Sequence, residues 1–160
     1  MTVLGNVEQI KEMIQQRSAP VFVAIDGHSA AGKSTLARKL ADGLEDSVVI
    51  ATDDFYRPIP EDIRFRLDAQ AGYERYYDWQ RLRKEVLEPL SNSQPANFRV
   101  YDWNNNALGK RRLVSPQNVV IVEGCYSARP ELAVYYDLIM MVETSVAERA
   151  QRQQQRNDAT

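Results

Sequence analysis

The chain carries a single cysteine, Cys125, and a single histidine, His28. One thiol excludes an internal disulfide, and two such residues are too few for a Cys/His zinc cluster. A cysteine–histidine catalytic pair would have to draw on those two distant positions and no others. Charge of one sign is lacking too, because 20 Lys and Arg stand against 22 Asp and Glu, a formal net charge of -2. That balance removes the broad positive field of sequence-independent nucleic-acid binding, so no nucleic-acid partner is expected. No apolar run approaches the roughly 20 residues that span a bilayer. Residues 1–11 lack the basic start and apolar block of a secretory signal. A cytoplasmic protein without membrane contact is the expectation, and a lone free thiol suits that reducing compartment. Repeats and low-complexity tracts are missing apart from the polar stretch 151–155.

What is present is a globular composition: 160 residues, 44% hydrophobic and 26% charged, with Gly 7 and Pro 7. This length suits one domain over residues 1–160, with a core burying roughly 70% of the unfolded surface. Composition leaves the oligomeric state open, a homo-oligomer included.

The periodicities then alternate. Val7, Ile10, Met13 and Ile14 recur at helical spacing, which predicts a covering helix within residues 1–18. Val21, Phe22, Val23, Ala24 and Ile25 form a short apolar run, as in a strand buried on both faces of a parallel sheet. Leu36, Leu40 and Leu44 mark a helix over 33–44, and residues 48–51 a second buried strand, making a β-α-β unit. Trp79, Leu82, Val86, Leu87 and Leu90 predict a helix ended by Pro89 and the Ser-Asn-Ser that follows. Residues 98–101 and 112–114 flank Asn104, Asn105 and Asn106 as a small hairpin. Two further buried strands are expected at 119–122 and 138–142, then a charged helix from about Val146. The sum is a three-layer α/β fold with a mainly parallel sheet.

Chemistry enters at Gly27, His28, Ser29, Ala30, Ala31, Gly32, Lys33, Ser34 and Thr35, a complete G-x-x-x-x-G-K-[ST] motif between a strand and a helix. Its glycines let backbone N–H groups turn inward around a phosphate chain, Lys33 reaches the β and γ oxygens, and the Ser34 hydroxyl is a magnesium ligand. The helix start adds its positive end. This P-loop predicts ATP and Mg2+ as cofactors, with His28 a loop residue rather than an acid–base catalyst. The strand 119–122 ending in Glu123 and Gly124 has Walker-B form, its acid holding magnesium or a bound water. Neither N-K-x-D nor L-S-G-G-Q occurs. Asp53 and Asp54 close the second strand, on the same carboxyl edge as the P-loop, where a carboxylate can take the proton of an acceptor hydroxyl. Arg149, Arg152 and Arg156 recur at three- to four-residue spacing on the last helix and either close over the phosphates, binding nucleotide and neutralising transition-state charge, or form a solvated face.

In order, residues 27–35, Thr52-Asp53-Asp54-Phe55-Tyr56, Tyr77-Asp78-Trp79-Gln80-Arg81-Leu82, Tyr101-Asp102-Trp103, Val122-Glu123-Gly124 and the arginine-spaced helix resemble the uridine kinase-like branch of P-loop kinases. That branch is similar to phosphoribulokinase and bacterial pantothenate kinase. The resemblance covers residues 21–158 and implies ATP-dependent phosphorylation of a hydroxyl on a small metabolite, with a small-molecule acceptor as the partner. By it, Asp53 is the base, Lys33 and Arg152 assist catalysis, and Glu123 is the magnesium-associated acid. Tyr56, Asp78, Tyr101 and Trp103 are implied to hold the acceptor in segment 52–117, with Asp78 matching either the sugar-binding aspartate of uridine kinases or the Y-D-x-x-R-L aspartate of pantothenate kinases. The histidine that follows the hairpin motif in nucleoside kinases is absent, so acceptors such as pantothenate, glycerate or a sugar phosphate stay open. Arg57, Arg64, Arg66 and Arg75 suit a phosphorylated acceptor, or a solvated face beside Glu61, Asp62, Asp68 and Glu74. Family members continue past the arginine helix into another helix and strand, so the lid at 145–160 is expected to be incomplete. A nucleotide-binding regulatory module that has lost catalysis is the competing expectation.

Overall fold

In the computed structural model, which describes residues 6–158, Asn6 opens the first helix by accepting the Gln9 amide at 2.9 Å. Parts of the expected covering segment and of the expected lid, residues 1–5 and 159–160, lie outside the described residues. Helix α1 (Val7–Gln15) buries Ile10 and Ile14, as its spacing predicts. Strand β1 (Val21–Asp26) follows, then α2 (Lys33–Ala41), β2 (Ser47–Ala51) and a 3-10 turn (Thr52–Phe55). The acceptor-side segment contains α3 (Glu61–Arg64), α4 (Ala69–Arg75), α5 (Trp79–Leu82), a π-helical turn (Arg83–Leu87), α6 (Glu88–Ser91), and the hairpin of β3 (Ala96–Asp102) and β4 (Ala107–Val114). The chain returns through β5 (Val119–Glu123), α7 (Pro130–Ala133), β6 (Leu138–Met141) and α8 (Val146–Asp158).

Four strands form one parallel sheet in the order β2-β5-β1-β6. Strand β5 therefore lies between β1 and β2, and the β-α-β unit read from the sequence is a crossover that skips one strand. Register aligns Glu123 with Ile25 on one side and with Ala51 on the other. The P-loop, the Glu123 carboxylate and the turn bearing Asp53 thus leave the sheet at one carboxyl edge, where parallel α/β sheets bind their ligands.

Alternation along the strands divides the core. Val21, Val23, Ile25, Val119 and Ile121 pack on α1 and α2 through Ile10, Ile14, Ala37 and Leu40. Phe22, Val120, Val122 and Ile50 face the other way, onto Phe55, Leu82, Val86, Leu87, Leu90 and Phe98. The result is the expected three-layer arrangement.

Several local expectations change. Strand β6 is half exposed rather than buried, with Ile139 at 47% and Met141 at 62% exposure, because it is an edge strand. Strand β2, the other edge, is also only partly buried. Helix α2 stops at Ala41, capped by Asp42, short of residue 44. Helix α6 ends at Ser91, at the expected Ser-Asn-Ser, and Pro89 does not end it. A proline in regular α-helix lacks an N–H and presses on the carbonyl four residues earlier; the wide π turn just before it relieves both constraints. Among the described residues, no helix is long and apolar enough to cross a membrane.

Candidate active site

Local backbone geometry builds the P-loop. Gly27 has φ +143°, and a Cβ there would collide with the Val142 carbonyl oxygen, so only glycine fits. Gly32 caps α2 in the left-handed region at φ 100° with no side-chain cap, leaving the helix's first amides and its positive end to an anion. The Asp26 carboxylate fastens the loop to the segment after β5, with Oδ1 accepting from the amides of Gly27 (2.7 Å) and Tyr126 (3.1 Å) and Oδ2 from Ala128 (2.9 Å). Lys33 is buried, and its Nζ donates to the His28 carbonyl at 2.6 Å and lies 3.8 Å from Cys125 Sγ. Burial pushes the Cys125 thiol up, partly offset by the Lys33 charge.

Beside the lysine, Ser34 Oγ donates to Glu123 Oε1 at 3.0 Å. Burial raises the Glu123 carboxyl above its ordinary range; the Ser34 bond and Lys33 oppose this, while Asp53 and Asp54 reinforce it. A hydroxyl paired with a buried, electrostatically crowded carboxylate suits a hydrated magnesium whose other ligands are phosphate oxygens and water. Among the described residues, no cluster of three or more His, Cys, Asp or Glu could hold a metal ion without such help.

The two aspartates that the sequence places side by side separate in role. Asp54 pairs with Arg112 of β4 at 3.6 Å, and Arg112 also donates to the Val49 carbonyl at 3.0 Å, fastening the hairpin to β2. Burial raises Asp54, with Arg112 pulling it down and Asp53 pushing it up. Asp53 is free of that anchor; its Oδ1 accepts from the Tyr77 hydroxyl at 3.3 Å.

The expected acceptor residues gather around Tyr56. Its ring meets Trp103 (4.8 Å between centroids), Tyr77 (5.2 Å), Tyr101 (5.4 Å) and Tyr76 (5.7 Å), with the Arg64 guanidinium 5.0 Å above it. Tyr56 and Tyr101 are buried in this cluster, and Trp103 is 54% exposed. The Tyr101 hydroxyl donates to Asn106 Oδ1 at 2.6 Å, and Asn106 Nδ2 donates to the Ile59 carbonyl at 2.9 Å. Asn106 thus docks the hairpin tip. Arg64 Nη2 donates to the Ile59 carbonyl, Tyr101 and Asn106. Asp78 caps α5 through the Arg81 amide (3.2 Å) and meets Arg57 at 3.4 Å. Arg66 and Arg75 are exposed, as a solvated face requires.

Arg152 reaches from α8 to the P-loop and donates to the Ala30 carbonyl at 3.3 Å. A cleft of about 540 Å³ lies between α2 and α8, lined by Val7, Gly32, Thr35, Leu36, Arg152 and Arg156. Arg149, three residues before Arg152 on α8, is half buried. Sequence reasoning missed Tyr77, Asp26, Cys125 and Arg112 as parts of the site. Tyr77 and Asp26 had a signal, since Tyr77 opens the Tyr-Asp-Trp motif and Asp26 directly precedes the P-loop; Arg112 had none, because its contacts span long separations.

Known proteins resemble this chain. The uridine kinase of Halobacterium salinarum is 29% identical over 140 residues, 84% of this chain and 61% of that protein. A pantothenate kinase of Ligilactobacillus salivarius is 31% identical over 119 residues, 69% of this chain and 39% of that one. The chain therefore spans less than two thirds of either relative. The solved structure of a possible uridine kinase from Bacillus stearothermophilus superposes with a TM-score of 0.75 at 20% identity, covering 96% of this chain and 88% of that one, so the fold is shared. The model of one family takes in all but the first helix of what is described above, matching residues 22–160, and the chain belongs to that Phosphoribulokinase / Uridine kinase family.

Proposed function

We propose that this chain is an ATP-dependent kinase that transfers the γ-phosphoryl group to a hydroxyl of a nucleoside or similar small metabolite. One observation carries the reading: the Asp53 carboxylate stands at the end of β2, on the sheet edge that also bears Lys33 and the Ser34–Glu123 pair. The P-loop amides and Lys33 hold the β- and γ-phosphates. Ser34 and Glu123 would hold Mg2+, which neutralises charge on the transferring phosphoryl group when bound. Asp53 accepts the acceptor's hydroxyl proton as the new O–P bond forms and the bond from γ-phosphorus to the bridging oxygen breaks, releasing ADP. Arg152, which donates to the Ala30 carbonyl of the P-loop, would meet charge developing on the γ-phosphoryl oxygens.

For the acceptor, a nucleoside has two supports: the exposed ring of Trp103, backed by the buried rings of Tyr56 and Tyr101, which suits a planar base, and the relatives named uridine kinases. The pantothenate kinase relative keeps a second acceptor class in the panel. The test is ADP release with Mg-ATP and, in turn, nucleosides, pantothenate, glycerate and sugar phosphates. Release driven by a nucleoside is expected. Release driven only by another class would reassign the acceptor, and ATP binding without acceptor-dependent release would point to a regulatory nucleotide-binding module.

A further inference from the structure

The backbone around Asp53 is strapped to a second segment. Tyr56 and Tyr77 form an antiparallel bridge, the Arg57 amide donates to the Tyr76 carbonyl at 2.8 Å, and the Asp78 amide donates to the Phe55 carbonyl at 2.7 Å. This strap carries the Tyr77 ring to Asp53, where the hydroxyl donates to Oδ1 at 3.3 Å. The ring itself is held edge-on by Tyr56 at 5.2 Å and by Tyr126, from the segment after Glu123, at 5.8 Å. Those ring contacts need only an aromatic side chain; a phenylalanine would make them equally well. The hydroxyl adds one thing, a bond to Asp53. Burial, then the Asp53 charge, pushes the phenol far above its ordinary range, so it stays a donor at every working pH.

We infer that Tyr77 is a positioning residue for phosphoryl transfer: its hydroxyl occupies Asp53 Oδ1 and turns Oδ2 toward the acceptor hydroxyl. The inference rests on the kinase reading above. A carboxylate on a short side chain has two rotatable bonds, and a fixed partner on one oxygen selects the rotamer that presents the other, lowering the barrier through orientation rather than through affinity. Tyr77 touches neither phosphate nor acceptor in this role and acts only through Asp53.

The test is a cycle of Tyr77→Phe, Asp53→Ala and the double variant. With the preferred acceptor at saturating ATP, Tyr77→Phe should lower kcat about 10-fold, the loss of one hydrogen bond to a charged group, with both KM values unchanged. In the Asp53→Ala background, where no carboxylate remains to be turned, the same change should cost nothing further in single-turnover rate. An equal loss in both backgrounds overturns the inference, as does a raised acceptor KM at unchanged kcat, which would make Tyr77 a wall of the pocket. Thermal melting of the same four proteins gives an answer that does not need turnover. Non-additive shifts in Tm are expected for bonded partners, and additive shifts overturn the bond itself. If the parent protein releases no ADP with any acceptor while the Tm shifts remain non-additive, the kinase reading fails and the positioning role falls with it, although the bond stands.

Discussion

Asp53→Asn and Asp78→Asn separate the two carboxylates that compete for the role of base. Both changes keep size and one acceptor oxygen while removing charge, and the structure indicates that both proteins should fold. Asn at 78 still caps α5, because asparagine and aspartate are equally good N-caps. The ion pair it loses, 3.4 Å to Arg57 with side chains 22% and 35% exposed, is worth about 0–1 kcal/mol. Asn at 53 keeps an oxygen for the Tyr77 hydroxyl. Activity can therefore be read without a folding defect. Asp53→Asn removes the proton acceptor and should lower kcat by about 100-fold or more, equivalent to about 2.7 kcal/mol of barrier, with ATP affinity little changed. Asp78→Asn should leave kcat near the parent value and raise the acceptor KM by about 10-fold, since Oδ1 is already held by the Arg81 amide and Arg57 and the other oxygen offers the acceptor binding alone. Single-turnover transfer from saturating Mg-ATP, with circular dichroism to check folding, makes the comparison. Loss of transfer in Asp78→Asn alongside an active Asp53→Asn would refute the argument and favour the pantothenate kinase-like assignment.

Lys33→Ala removes the buried cation beneath the P-loop and should weaken Mg-ATP binding by about 10-fold or more and abolish turnover, checked by calorimetry on the folded variant. Glu123→Gln should lower the magnesium dependence of ATP binding yet raise the Tm of the nucleotide-free protein at pH 7. The sign follows from burial, which lifts the Glu123 carboxyl above 4.5 in the folded state, so the folded protein holds more protons there and loses stability as pH rises through that interval. The Tm advantage of the variant should shrink as pH falls toward 4.5; a variant that melts lower than the parent by the same margin at every pH would contradict this. Gly124→Ala places a Cβ onto Thr52 Oγ1 at a φ of +134°, and denaturant titration should show a loss of about 2 kcal/mol or more, with reduced activity from the displaced Glu123.

Much of this protein is legible in the order of its residues. The P-loop motif is local, its glycines and lysine fixed by backbone sterics and phosphate geometry, and the apolar runs at 21–25 and 119–122 are unmistakable as strands buried on both faces. The carboxyl-edge position of Asp53 and Glu123 followed from parallel strands alone. What lay beyond the sequence depended on which strands became neighbours and on contacts between distant segments. Edge position made β6 half exposed although its composition is that of a core strand. A π turn let a helix pass Pro89, an accommodation that no single residue announces. Asp53 and Asp54 are indistinguishable as a pair in the sequence. Only the tertiary structure assigns one to Arg112, 58 positions further along the chain at 3.6 Å, and the other to the Tyr77 hydroxyl at 3.3 Å. Short-range sterics and periodicity are written in neighbouring residues, whereas the partner of a side chain is settled by packing that brings remote segments together.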